Sequence, residues 1–82
     1  MTRRGGMSHE YYLDLRGQRA PEPLLHTETY ARQLCAGDSL LLELDDPDSL
    51  PGLEDWAGRH HCRLLIEPGQ GDIRRVRLEL DD

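Results

Sequence analysis

The chain has 82 residues, room for one domain, and it carries 16 Asp and Glu against 10 basic residues, all ten of them arginine. A domain of this size buries only about 60% of the surface of its unfolded chain, so a single modest core layer is expected. A net charge of −6 excludes a general nucleic-acid binder, whose affinity rests on neutralising phosphates; the one local basic patch, Arg74, Arg75 and Arg77, reads as the solvated face of a strand.

Residues 1–10 are polar and glycine-containing and are expected to form a disordered tail, with Met7 an alternative start, leaving 11–82 as the single domain. This opening lacks the apolar middle of a signal peptide, and no apolar run in the chain approaches the ~20 residues of a membrane span. "YYLDLRG" alternates Leu13 and Leu15 with Asp14 and Arg16, the period of a half-buried strand, and Gly17 ends it. Leu24, Thr27, Ala31 and Leu34 then recur at helical spacing with Gly37 as a stop, which predicts an amphipathic helix over 21–35. "SLLLELDD" gives a second strand with Leu40, Leu42 and Leu44 on one face. "DPDSLPGLEDWAGRHH" gives a second helix that buries Leu53, Trp56 and Ala57, although Gly52 and Gly58 lower its propensity.

"CRLLIE" is a third strand, "PGQGD" a turn, and "IRRVRLEL" a fourth strand with Val76, Leu78 and Leu80 inward and Arg75, Arg77 and Glu79 outward. The order β-α-β-α-β-β predicts an α/β (α+β) two-layer sandwich: a mixed four-stranded sheet with both helices on one face and the other face open to solvent. Helix crossovers between adjacent strands give parallel neighbours, and the last two strands form a hairpin. The two cysteines, Cys35 and Cys62, form no Cys-x-x-Cys pair, which suits a reducing, cytoplasmic compartment. Cys35, beside Leu34 on the helix stripe, reads as a small buried side chain. "HHC" at 60–62 has no second ligand pair at a recognised spacing, so no metal or other cofactor is expected. His26 reads as a solvated helix residue.

The start of the first helix is the unusual place. Such a position ordinarily recruits Ser, Thr, Asp or Asn, whose oxygens accept the exposed backbone N–H groups, yet Ala20 stands there. Pro21 and Pro23 suit a first helical turn because neither has an N–H to leave unsatisfied. The N–H groups of Glu22 and Leu24 and the helix dipole would then favour an anion at position 20, and a cysteine there would be held toward its thiolate. Alanine can use none of this.

"LDLRGQRAPEPLL" resembles the signature of the TusA (SirA-like) sulfur-carrier family, in which a strand ending in Leu-Asp-x-Arg-Gly leads to Cys-Pro-x-Pro at the opening of the first helix. The likeness continues through Gly37-Asp38, the leucine-rich second strand and "DDP" at 45–47, over roughly residues 12–80. It implies the same two-layer sandwich. It also implies a persulfide relay: the motif cysteine takes sulfur from a cysteine desulfurase or rhodanese-like donor and hands it to a downstream acceptor protein. Arg16, Gly17, Pro21, Glu22 and Pro23 match the motif, and Ala20 occupies the cysteine position, so the resemblance implies a sulfurtransferase that is inactive in this chain. Gly52 also departs from the aspartate common in the family. The alanine is either a substitution in a carrier or the mark of a natural relative that gave up the chemistry. An alternative to the relay role is a non-catalytic interaction module on the same fold. Arg16 is expected either to steady an anion or to pair with Asp14 or Glu22, and the chain is expected to be monomeric.

Overall fold

Leucines alternating along one central strand organise the molecule. The computed structural model describes residues 9–80 and runs β1 (Glu10–Asp14), α1 (Glu22–Ala31), β2 (Ser39–Leu44), a 3-10 turn (Pro47–Ser49), α2 (Leu50–Arg59), β3 (Cys62–Glu67) and β4 (Arg74–Leu80). Residues 1–8, most of the expected tail, lie outside the described residues, and Glu10 is already strand. Leu40, Leu42 and Leu44 of β2 are almost wholly buried, and they meet Leu15 on one side and Val76 and Leu78 of β4 on the other. Ala31 of α1 and Leu53, Trp56 and Ala57 of α2 close the same cluster, so both helices cover one face. Each fully buried leucine adds about 1.5–3 kcal/mol of transfer free energy, which is how so small a core holds the sheet.

The sheet order is β1-β2-β4-β3. β1 and β2 are parallel neighbours, Leu13 beside Leu42, as the helical crossover requires. β2 and β3 are also parallel in direction, but β4 inserts between them, antiparallel to both. The hairpin thus folds back into the gap that the second crossover leaves. On the open face Arg75 pairs with Glu43 (3.1 Å), while Arg77 pairs with Glu67 (2.6 Å) and with Glu10. Two of the three arginines of the basic cluster, Arg75 and Arg77, are therefore paired with carboxylates of the same sheet.

Three expectations need correction. The first helix ends at Ala31, not 35; Arg32 to Leu34 leave it through tight turns, Gln33 N–H to Tyr30 O and Leu34 N–H to Ala31 O. Cys35 consequently falls in a loop and is exposed rather than buried. The N–H of Glu22 is not free but donates to Arg19 O at 2.9 Å.

Candidate functional site

The end of β1 delivers the chain to the site. Gly17 turns it with φ of +86°, a conformation an L side chain resists, and its N–H donates to both oxygens of Asp45 at 2.9 and 3.0 Å. Arg16, just before, folds back onto Asp14 with two parallel hydrogen bonds of 2.9 Å, Nε to Oδ1 and Nη2 to Oδ2. Its Nε also lies 3.8 Å from Glu43. Arg16 pairs with Asp14, then, rather than with Glu22. The guanidinium beside it, with the Arg16 N–H, holds the Asp14 carboxyl down at about 2, and Asp14 in turn raises the arginine further. Glu43, largely buried, accepts the Tyr12 hydroxyl at 2.5 Å, which lowers the carboxyl and raises the phenol.

Ala20 is exposed, and the peptide joining it to Pro21 is cis. α1 starts with no side-chain cap: Pro21 occupies the capping position and Leu25 N–H reaches its carbonyl at 3.2 Å. The group that serves the turn comes from the other helix. Asp46 accepts the N–H of Ala20 at 2.8 Å, the Ser49 hydroxyl at 3.0 Å and the Asp48 N–H at 3.3 Å, and so caps the 3-10 turn that opens α2 while tying it to the start of α1. These donors, the Ala20 N–H first, keep the Asp46 carboxyl below its ordinary range.

Two clefts flank Ala20. One of about 120 Å³ is almost wholly apolar and is lined by Ala20, Pro21, Leu24, Asp48, Ser49 and Gly52. The other, about 410 Å³, is polar, with Gly17, Arg19, Asp45, Asp46, Pro47 and Asp48 on its walls. The sequence expectation of a vacant anion socket is corrected here. Of the two N–H groups expected to be free, that of Glu22 goes to the Arg19 carbonyl; the Ala20 N–H is held by Asp46, and three aspartates, Asp45, Asp46 and Asp48, line the adjoining polar cleft. What the site offers is an exposed position 20 on a fixed turn, between an apolar slot and a polar one.

The motif residues Arg16, Gly17, Pro21, Glu22 and Pro23 all fall at this turn, Pro23 buried and Glu22 exposed. Asp45, Asp46 and Ser49 belong to the same site, and sequence reasoning did not single them out as functional. Their signal is present: an Asp followed by Pro, as in Asp46-Pro47, is a helix-start pattern, and Ser49 stands three residues after the Asp. His26 is exposed on α1. His60 stacks on Trp56 with ring centroids 5.0 Å apart, His61 reverses the chain with φ of +58°, and the Cys62 thiol lies 3.6 Å from the His60 carbonyl.

The family model described as Sulfurtransferase TusA matches residues 11–79. Among solved structures, the chain is similar to a SirA-like protein from Desulfitobacterium hafniense, with 18% sequence identity, a TM-score of 0.76, and coverage of 88% of this chain and 99% of that one. At that identity the likeness speaks for the fold. No curated protein sequence matches the chain.

Proposed function

The chain belongs to the TusA sulfurtransferase family, whose members act in sulfur relay with other proteins, and on that premise we propose that it keeps a carrier's fold and docking turn but cannot carry sulfur at position 20. In a persulfide relay a carrier thiolate attacks the outer sulfur of a donor persulfide. A new S–S bond forms on the carrier as the donor's S–S bond breaks, and the donor leaves as a thiolate. The attacking atom needs a lone pair and must become part of the new bond. The methyl of Ala20 has neither property.

The observation that supports this reading is the intactness of the turn that holds the alanine. Gly17 makes its turn, Asp46 fixes the Ala20 N–H, and the slot beside Leu24 and Gly52 is open. The partners that fit such a turn are those of the relay: a cysteine desulfurase or rhodanese-like donor and a downstream acceptor, met in the cytosol. Incubating the Ala20→Cys variant and the unsubstituted chain with a cysteine desulfurase and cysteine, then weighing both intact, tests it. One added sulfur atom on the variant alone is expected; a variant that stays unmodified would end the proposal.

A further inference from the structure

β3 is an edge of the sheet, with β4 its only neighbour among the described strands. Its middle is apolar: Leu65 and Ile66 are 39% and 53% exposed, and residues 63–67 contain no proline or lysine to discourage pairing. Two copies of a strand pairing antiparallel about a two-fold axis must match residues of the same face, so the sequence decides which centre is favourable. Centred on Leu65, the pairing sets Leu65 against itself, Leu64 against Ile66, and Arg63 against Glu67 twice, once at each end. The opposite edge fails the same test. β1 centred on Tyr12 would place Glu10 against Asp14, like charges face to face.

We infer that β3 is a self-pairing edge, through which two copies of this chain join into one eight-stranded sheet. Arg63 is 64% exposed, and its pair with Glu79 at 3.4 Å leaves it free to meet a second carboxylate. Glu67 is shared with Arg77 at 2.6 Å and keeps 31% of its side chain exposed. A contact confined to one short strand buries less than the ~1,200 Å² of a standard interface, so the dimer is weak and forms only at high concentration. This replaces the expectation of a monomer with a concentration-dependent equilibrium. β1, which leads to Ala20, lies at the far edge of the sheet.

Sedimentation equilibrium over roughly 10 μM to 1 mM, the range proper to small interfaces, tests the inference. The parent chain is expected to show concentration-dependent dimer. Arg63→Glu and Glu67→Arg, each of which turns both end pairs into like charges, are expected to weaken it about tenfold or more. An equimolar mixture of those two variants restores complementarity and is expected to dimerise, as is the double variant. Leu65→Glu keeps Arg63 and Glu67 and places two carboxylates on the axis, so it too is expected to be monomeric. A parent chain monomeric throughout the range, end-charge variants that dimerise like the parent, or a mixture that stays monomeric would each overturn it.

Discussion

Asp46 accepts the N–H of Ala20 at 2.8 Å, and this single bond changes what a side chain at position 20 would experience. A thiol placed there gains from the helix start but sits beside a carboxylate, and a neighbouring negative charge disfavours a thiolate. In the Ala20→Cys variant, the further change Asp46→Asn is therefore expected to lower the thiol pKa by about one unit, read from the pH dependence of alkylation rate, because the asparagine oxygen still accepts the N–H while the charge is gone. An unchanged or raised pKa would mean that the carboxylate does not act on position 20. Thr27 presents a different problem. It is fully buried in α1 and its hydroxyl oxygen finds no hydrogen-bond partner among the described residues. A buried unsatisfied polar group costs on the order of 1–3 kcal/mol, so Thr27→Val, of the same shape, is expected to stabilise the fold by about 1 kcal/mol in denaturant titration. A loss of stability would show that the hydroxyl does have a partner.

Most elements were legible as periodicities, and the misses have physical causes. Leu40, Leu42 and Leu44 alternate and are buried as expected, and so is the Leu53, Trp56 and Ala57 stripe of α2. The end of α1 was not legible, because Leu34 continues the helical spacing although the backbone has already left the helix at Ala31; Leu34 still packs against the core from the turn. That shift of four residues is what exposes Cys35. The insertion of β4 between β2 and β3 leaves no mark on local pattern, since both central and edge positions suit alternating residues. Gly52 in α2 is a weakness the structure does not require: a Cβ there would meet only Leu24 Cδ2, at an ordinary 3.6 Å. Glycine inside a helix costs roughly 0.5–1 kcal/mol against alanine. Gly52→Ala is expected to recover about that much in a thermal or urea melt, and a destabilised variant would show that the slot beside Ala20 cannot be narrowed.

Across the whole molecule, stability depends on carboxylates that the fold holds ionised. Asp14 is lowered from 3.8 to about 2 by Arg16, and Glu43 and Asp46 are lowered by the Tyr12 hydroxyl and the Ala20 N–H. A group whose pKa falls on folding binds protons more weakly in the folded state, so its contribution is complete above the unfolded value and lost as pH drops through the folded one. Stability is expected to decline as pH falls from about 5 toward 2, and the decline should shrink in Arg16→Gln, where Asp14 loses its partner. Tyr12 works with the opposite sign: its raised pKa contributes below 10 and is lost as pH rises through its folded value, so Tyr12→Phe is expected to flatten the alkaline limb. Melts across pH check both, and an acid limb identical in Arg16→Gln would contradict the pairing. The site as a whole was half legible. The turn and its prolines are contiguous in sequence, whereas Asp45, Asp46 and Ser49 reach it from 26 or more positions away along the chain. The most direct test of the central claim is sulfur loading followed by intact-mass and peptide analysis of the unsubstituted chain beside Ala20→Cys. The expected result is one reducible sulfur on residue 20 of the variant and none at that residue of the unsubstituted chain; a variant that takes up no sulfur at residue 20, or takes it up only at Cys35 or Cys62, would contradict it.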